Sequence, residues 1–406
     1  MRSRRAGRPI FRTSPANAGM MAKADVIRLG SRIAMFQLRD EPDPMQVKLI
    51  DPGELGSVEI AAWHAMQRAT PSLLNPFLSA EFAMAVGGFR PDARVAVLTK
   101  DHSITGFFPF ERRRFSVGVP ICGWLSPCQG IVHAPGTDWD TRELLQGCRL
   151  SAWHFDNLIV DQQPFKPYHA ATAPSPIIDL ADGFDSYYAK LQTNSPRFCK
   201  ELARKTRKLG REVGDLRIVT DSRDTSLLHT LIGWKSDQYR RTSHVDRFQR
   251  PWVVGLLDAL LAADSDYLSG MLSVLYAGDQ PIAGQFGLRT EHLLVGWFTA
   301  YDIRFREYSP GLIQLMQTAE KLAATGLQEI HMGKGAKNFT QQLKNSDIPL
   351  AEGIVTRRSL LGSAHRVYDA SARWSVRTVR HHPGLHRNAD RILRRSGVSR
   401  LTYGRM

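Results

Sequence analysis

The segment Tyr308-Ser309-Pro310-Gly311-Leu312 has the residue types of a turn that binds a negative group. Ser309 suits the N-cap of a helix, and Pro310 suits the first helical position because its missing N–H would be unpaired there anyway. Gly311 lets a ligand approach the backbone closely. The free N–H groups and the positive end of the helix dipole would then attract a pyrophosphate. A plain helix start uses the same residues, and that interpretation stays open.

Several residues around this turn could move a proton. Asp302 and His331 are candidate bases, and the ordinary pKa of histidine suits proton transfer near neutral pH. Tyr276 and Tyr239 could protonate a leaving group. Each has a structural alternative, because Tyr301 and Asp302 are equally compatible with a turn. A lone histidine at a strand end is more often structural, and both tyrosines could be core residues with bonded hydroxyls.

Other side chains place a charge or a ring where a ligand could be held. Lys235 and Arg289 interrupt apolar patterns, so each is expected to have a carboxylate or phosphate partner. Lys334, between two glycines, could contact a phosphate or a second substrate, or could be a solvated lysine. Aromatic residues of the second half are most simply core residues, although tryptophan can also line a sugar site: Trp234, Trp297 and Phe298.

A weak internal repeat organises these residues. Trp63 and Trp234 each stand four residues before a glutamine in a helical pattern, at an offset of 234 − 63 = 171. A β-hairpin follows in each half, and Gly106 in its second strand corresponds to Gly284 at an offset of 284 − 106 = 178. The agreement of order and spacing predicts a duplicated unit.

The repeat predicts the fold class. Each half reads as two helices, a hairpin, a strand, a helix and a strand, which indicates an α/β fold with a mixed, mostly antiparallel sheet flanked by helices in each of two tandem domains. In the second half the turn joins a strand at 292–301 to a helix at 311–325 with a regular apolar stripe.

Composition and charge exclude several classes of protein. No apolar run reaches the roughly 18–20 residues that span a bilayer. The four cysteines lack zinc spacing, so we expect no metal and a reduced, cytoplasmic protein. The net charge of +15 is concentrated at 197–212 and after Arg357, and such patches attract polyanions. Aromatic residues are sparse in both patches, which disfavours nucleic acid as a partner.

Short motifs across roughly residues 50–345 carry a family resemblance: Pro76-Phe-Leu-Ser79, Gly106-Phe-Phe-Pro-Phe110, Trp153-x-Phe155-Asp156, Trp234-Lys235-x-x-Gln238-Tyr239, Leu272-Ser-Val-Leu-Tyr276, Phe286-Gly-Leu-Arg289, Trp297-Phe298-x-x-Tyr301-Asp302, Ser309-Pro-Gly-Leu312 and Gly333-Lys334-Gly335. The second half resembles the GNAT acyltransferases, and the tandem arrangement resembles the Fem-type branch. The motifs are most similar to those of the CelD/BcsL-like acetyltransferases, which are associated with bacterial cellulose and exopolysaccharide synthesis.

The resemblance implies acyl transfer from acyl-CoA to a hydroxyl or amine of a sugar or polysaccharide precursor. It implies that acyl-CoA contacts Phe298, the turn at 309–312 and Lys334, with an oxyanion donor among the backbone N–H groups of 298–301. The candidate catalytic residues are Asp302, His331, Tyr301 and Tyr276. The candidate acceptor-binding residues are Trp234, Lys235, Gln238, Tyr239, Arg289 and Trp297.

The chain departs from the family pattern at two places. The Arg/Gln-x-x-Gly-x-Gly phosphate loop is absent, and Asn338-Phe339-Thr340 stands where the family tends to have Tyr-Lys.

The predicted domain plan is a disordered basic extension (1–45), a degenerate GNAT-like domain that shapes the acceptor cleft (46–180), a helical linker (181–214), the acyltransferase domain (215–355) and a basic helical tail (356–406). The tail could dock to an anionic membrane surface or to a polysaccharide-synthesis complex at the inner face of the membrane.

Two rival functions stay open. A Fem-type transferase would take its aminoacyl group from tRNA and contact RNA phosphates through the basic helix at 197–211. A non-catalytic protein would instead scaffold a polysaccharide-synthesis complex through its basic tail. A serine hydrolase is disfavoured because the chain has no Gly-x-Ser-x-Gly elbow.

Overall fold

The computed structural model describes residues 45–334 and 338–357. The predicted basic extension (1–45) and basic tail (356–406) lie outside these ranges, apart from Met45, Thr356 and Arg357. Gly335, which ends the Gly-Lys-Gly motif, also lies outside them. All described residues belong to one compact unit that begins at Met45, so both halves of the repeat share that unit.

The first half of the chain contains seven strands and three helices within the described residues. They are β1 (Gln46–Ile50), α1 (Ser57–Ala69), α2 (Ala80–Gly87), β2 (Ala93–Lys100), β3 (Ser103–Arg112), β4 (Val117–Pro120), β5 (Val132–His133), α3 (Thr141–Gly147), β6 (Ala152–Ile159) and β7 (His169–Asp179). Two helices then lead into the second half: α4 (Phe184–Asn194) and α5 (Pro196–Glu212).

Within the described residues the second half has a similar succession of elements, without a counterpart of β5 and with a short extra helix before its last strand. They are β8 (Leu216–Ser222), α6 (Thr225–Arg241), α7 (Pro251–Ala262), β9 (Ser269–Ala277), β10 (Gln280–Arg289), β11 (Leu293–Tyr301), α8 (Pro310–Ala323), β12 (Glu329–His331), α9 (Asn338–Leu343) and β13 (Ser346–Thr356).

The strands form one sheet with a palindromic order. The path is β1-β2-β3-β4-β6-β13-β7-β12-β11-β10-β9-β8, and β5 pairs with β3 beside it. Read inward from either edge, three antiparallel pairings precede a parallel one, which is β4–β6 in the first half and β11–β12 in the second. The two halves therefore share one plan, as the internal repeat predicted.

The two predicted sheets are joined because the halves exchange their last strands. β13 pairs with β6 of the first half, β7 pairs with β12 of the second, and β7 and β13 pair with each other. Each exchanged strand covers an edge that would otherwise have unpaired backbone groups. The exchange makes the sheet continuous through the centre of the molecule.

One large core cluster also crosses between the halves. It contains Trp63 and Phe107 from the first half and Leu231 and Phe286 from the second. Successive residues of a strand point to opposite faces of the sheet, so Val295 of β11 belongs to this cluster while its neighbours pack elsewhere. Helices α6 and α7 cover this face of the second half, and α8 covers the opposite face.

Candidate active site

Strands β11 and β12 begin side by side and then separate. They pair in parallel over three residue pairs, of which Val295–His331 is the last. After β12 the chain turns towards β7, where the N–H of Met332 donates to Pro176 O at 3.0 Å. Strand β11 continues to Tyr301 with no described strand on that side. We call the space between residues 296–301 and the chain after His331 the open wedge.

A β-bulge lies where the wedge begins. Phe286 pairs with Phe298 and Gly287 pairs with Gly296, so Trp297 is an extra residue in β11. Bulges twist a strand and change the direction of its backbone groups, and they are frequent next to active sites. The indole N–H of Trp297 donates to Leu125 O at 2.8 Å in the first half. The geometry favours the core interpretation of Trp297.

The predicted anion-binding turn lies beyond the end of β11, at the start of α8. Ser309 occupies the N-cap position as predicted, and Pro310 is the first helical residue. Ser309 does not cap the helix with its side chain, because its backbone is left-handed (φ 57°, ψ 51°). A Cβ at Gly311 would lie 3.6 Å from Thr299 Cγ2 and 3.7 Å from Tyr301 Cδ1, so the turn packs directly on the end of β11.

The basic helix α5 brings positive charge to this turn. Lys205 Nζ donates to Ser309 Oγ at 3.0 Å, and Lys208 Nζ donates to Glu307 Oε2 at 2.8 Å. Leu312, in the first turn of α8, is half-buried beside the core cluster that α5 also joins. The N-terminus of α8 therefore combines its own positive dipole with a nearby ammonium group, which suits a phosphate.

Helix α6 lines the other face of the wedge. Lys235 Nζ donates to Thr299 O at 2.9 Å and lies 5.6 Å from the centre of the Tyr239 ring. Burial raises the pKa of Tyr239, so its hydroxyl keeps its proton and can donate a hydrogen bond. Phe298 is buried, and its ring packs against that of Phe248, which in turn stacks on the Tyr239 ring. Trp234 packs against the core, and Gln238 is half-buried one turn from it.

Near the wedge, charged and polar groups from both halves form what we call the inter-half cluster: Asp156, Gln129, Arg247, Lys334 and Glu352. Gln129 Nε2 donates to Asp156 Oδ1 at 2.6 Å, and Lys334 Nζ donates to the backbone oxygen of Asp156. Lys334 also lies 3.3 Å from Glu352 Oε2, so its ammonium group is already paired. Burial raises the pKa of Asp156 above that of an ordinary aspartate.

The other predicted residues have structural partners of their own. Asp302 caps the turn that follows β11, and hydrogen bonding to Arg304 lowers its pKa, which makes it a weak base. His331 Nε2 is hydrogen-bonded to Glu329 Oε2 at 2.8 Å. The Asp302 geometry fits the turn alternative given in the sequence analysis.

Tyr276 and Arg289 lie apart from the wedge. Arg217 stacks on the Tyr276 ring at 4.4 Å, two strands away from β11. Arg289 is at the far end of β10, where it donates to Asp221 Oδ2 at 3.2 Å. Arg289 thus has the carboxylate partner that was expected, but the structure does not bring it to the other candidate residues.

Asp156 and Arg247 were not among the site residues predicted from the sequence. Asp156 was part of a family motif but was not a candidate site residue, although it is a charge inside the apolar strand β6. Arg247 stacks on Trp124 at 4.2 Å, and burial lowers its pKa. The charge inside an apolar run was the available signal for Asp156, whereas the loop containing Arg247 has no comparable pattern.

Two absences hold for the described ranges. Within 45–334 and 338–357, no three His, Cys, Asp or Glu side chains are grouped as metal ligands would be. No helix in the same ranges is both long and apolar enough to cross a bilayer.

Comparison with known proteins places this geometry in context. Residues 196–341 match the family model described as an acetyltransferase (GNAT) domain. The match includes α5, β11, the turn and α8. No curated protein sequence matches the chain.

Several solved structures are similar to this chain. The crystal structure of FemX is 11% identical with a TM-score of 0.50 and covers 76% of this chain and 96% of its own. A tandem GNAT protein from the clavulanic acid biosynthesis pathway is 10% identical with a TM-score of 0.43, covering 77% and 98%. The C-terminal domain of a candidate lysylphosphatidylglycerol synthetase from Agrobacterium fabrum is 11% identical with a TM-score of 0.47, covering 76% and 96%. The family match thus indicates an acetyltransferase (GNAT) domain at residues 196–341, and the likeness to FemX concerns the fold.

Proposed function

We propose that the protein transfers an acetyl or longer acyl group from acyl-CoA to a hydroxyl or amine of a sugar or polysaccharide precursor. The observation that supports this most strongly is the separation of β11 and β12 directly beside the N-terminus of α8. A thioester can enter between two separating strands, while its pyrophosphate reaches the helix dipole.

The wedge has the groups that this reaction requires. A thioester is already activated, so the protein must position the acceptor, remove its proton and stabilise the oxyanion. The backbone N–H groups near the bulge at Trp297 and Phe298 would stabilise the oxyanion. Lys205 and the turn at 309–312 would hold the pyrophosphate. The acceptor would enter on the face that Lys235 and Tyr239 line.

The sugar acceptor is the finer part of the proposal and rests on the CelD/BcsL-like motifs. Six of these motifs lie in the second half, from Trp234 to Gly333. In this proposal the protein works in cellulose or exopolysaccharide synthesis on the cytoplasmic side of the membrane. The basic tail, which lies outside the described residues, would bring it to the anionic surface or to the synthesis complex.

A tRNA-dependent reaction is the second candidate, because α5 presents a row of exposed cations. Its exposed basic residues are Arg197, Lys200, Arg204, Arg207 and Arg211. Such a row suits RNA phosphates, and the donor would then be an aminoacyl-tRNA. A non-catalytic scaffold remains the third reading.

Titration calorimetry with acetyl-CoA tests the proposal. The wild type should bind, and Gly311→Trp should weaken binding by roughly 100-fold or more, because the indole would occupy the turn. Gly311→Ala should bind normally, since the added Cβ would be at ordinary contact distances of 3.6 and 3.7 Å. The matched control is Arg142→Trp, at the exposed start of the first-half helix α3.

Each result has a definite meaning. Loss of binding in Gly311→Trp alone supports the donor site. Equal binding by all four proteins would place the donor elsewhere. If the wild type binds neither acetyl-CoA nor longer acyl-CoAs, the acyl-CoA proposal fails, and binding of aminoacyl-tRNA would then separate the Fem-type function from the scaffold.

A further inference from the structure

We propose that Asp156, a residue of the first half, accepts the proton from the attacking hydroxyl or amine during acyl transfer in the second half. This inference rests on the proposed function and deepens it by naming the group that removes the proton. Neither the motifs of the second half nor the family match at residues 196–341 includes Asp156.

Asp156 lies beside the wedge because the chain leaving β12 passes it. Lys334 comes three residues after His331, the last residue of β12. Its Nζ donates to the backbone oxygen of Asp156 and pairs with Glu352 of β13 at 3.3 Å. The strand exchange that brings β13 next to β6 thus fixes Asp156 against the chain that forms one wall of the wedge.

Electrostatic interactions connect Asp156 to the other wall of the wedge. Arg247 interacts electrostatically with both Asp156 and Tyr239. The Tyr239 ring lies 5.6 Å from Lys235 Nζ, which in turn bonds to Thr299 O on β11. Asp156 is thus linked through Arg247, Tyr239 and Lys235 to the β11 backbone, where the thioester would be held.

The Asp156 carboxylate is available to receive a proton. Both of its hydrogen bonds reach one oxygen, Oδ1, from Gln129 Nε2 at 2.6 Å and from Asn157 Nδ2 at 3.4 Å. Within the described residues no donor reaches Oδ2 and no cation forms an ion pair with the carboxylate. The second oxygen thus keeps its lone pairs for an acceptor hydroxyl or amine.

The electrostatic environment makes Asp156 a stronger base than an exposed aspartate. Burial raises its pKa, and Glu352 acts in the same direction. Hydrogen bonding to Gln129 and the charges of Lys334 and Arg247 oppose this rise without cancelling it. Asp302, by contrast, has a lowered pKa because Arg304 holds its carboxylate. A base with a raised pKa removes a proton from the attacking group more effectively.

The step balances without a further reagent. The acceptor oxygen or nitrogen attacks the thioester carbonyl, so that a new C–O or C–N bond forms as its proton passes to Asp156 Oδ2. The tetrahedral oxyanion is held by backbone N–H groups of β11 and then collapses with cleavage of the C–S bond. CoA leaves as a thiolate and takes up the proton that Asp156 releases through solvent.

The test compares variants of Asp156 in the full chain. Release of the CoA thiol from acetyl-CoA is measured across pH with water alone and with D-glucosamine, which offers both an amine and hydroxyls. Asp156→Asn keeps the oxygen that accepts from Gln129 but cannot take up the proton, so the rate should fall by roughly 100-fold or more. Asp156→Glu should recover part of the lost rate. Asp161→Asn, an exposed carboxylate just after the same strand, is the matched control.

The pH profile and donor binding separate the outcomes. The wild-type rate should rise with pH as Asp156 ionises, and this rise should disappear in Asp156→Asn while its melting temperature and its affinity for acetyl-CoA stay unchanged. An unchanged rate and pH profile in Asp156→Asn would overturn the inference. It would also be overturned if the wild type binds acetyl-CoA but transfers the acetyl group neither to water nor to D-glucosamine. Failure of the wild type to bind acetyl-CoA would instead contradict the proposed function itself.

Discussion

The two halves have the same strand order but differ in what lies between their parallel strands. In the second half, β11 and β12 pair at three positions and then separate around the open wedge. In the first half, β4 and β6 pair at two positions. There the chain after β4 returns into the gap, and Gln129 forms a parallel bridge with Leu158. The duplicated architecture provides a gap in both halves, and only a local insertion closes one of them.

The buried side chain of Gln129 closes most of the gap in the first half through its hydrogen bonds. Gln129 Oε1 accepts from the N–H groups of Asp156 and Asn157 at 2.9 and 3.0 Å. Its Nε2 donates to Ser126 O at 3.2 Å and to the Asp156 carboxylate at 2.6 Å. These bonds satisfy backbone groups that would otherwise face a missing strand. The first half thus gains a fixed Asp156 and loses the space for a donor.

The helices that follow the two gaps differ in whether a side chain of the protein already caps their N-terminus. Asp140 caps α3 and accepts from the N–H groups of Arg142 and Glu143 at 2.7 and 3.0 Å. A negative group therefore already occupies the N-terminus of α3. Helix α8 has no such cap, and Ser309 is turned towards Lys205 instead. We therefore expect an anion from outside the chain to bind at the second helix and not at the first.

The largest effect is expected from opening the closed gap. Gln129→Leu leaves the half-buried N–H groups of Asp156 and Asn157 without their partner, so the free energy of unfolding should fall by about 2 kcal/mol. Urea denaturation followed by circular dichroism measures this. Gln146→Leu, at an exposed position of α3, is the matched control and should change the free energy by less than about 0.5 kcal/mol. A loss of under about 1 kcal/mol in Gln129→Leu would mean that water or other groups replace its bonds.

A smaller effect is expected from giving the second helix the cap of the first. Ser309→Asp would place a carboxylate at the N-terminus of α8, and aspartate tolerates the left-handed backbone there. Repulsion of the pyrophosphate should weaken acetyl-CoA binding by roughly 10-fold or more, as measured by calorimetry. Ser309→Asn has the same shape without the charge and should bind closer to the wild type. Equal affinities for the two variants would show that no phosphate lies at this turn.

The smallest effect is expected from removing the cation beside the turn. Lys205→Met should weaken acetyl-CoA binding only a few-fold, because a partly exposed charge contributes at most about 1 kcal/mol. The difference from wild type should shrink as salt is added, since salt screens the attraction. Lys190→Met on α4, whose exposed lysine pairs with Asp182, is the control. A loss that is independent of salt would point to a structural role for Lys205 at Ser309.

Much of the fold could be predicted because local patterns determine it. The apolar stripe at 311–325 corresponds to α8 (Pro310–Ala323), and Gly326 follows it with a positive φ of 92°. The glycine-containing turn of the second hairpin joins β9 and β10, and the turn chemistry at Pro310 placed the start of α8 correctly. That Ser309 would make no side-chain capping bond could not be predicted, because its hydroxyl instead accepts from Lys205 of the neighbouring helix α5.

By itself, the sequence determined the elements, their duplication and the turn that leads into α8, since each depends on residues that are close along the chain. The tertiary structure decided the exchange of β7 and β13 and the position of Asp156 beside the wedge. Lys334 and Asp156 are 178 residues apart, and Trp297 and Leu125 are 172 apart. No periodicity encodes contacts at such separations, because they form only when two complete halves pack on one sheet.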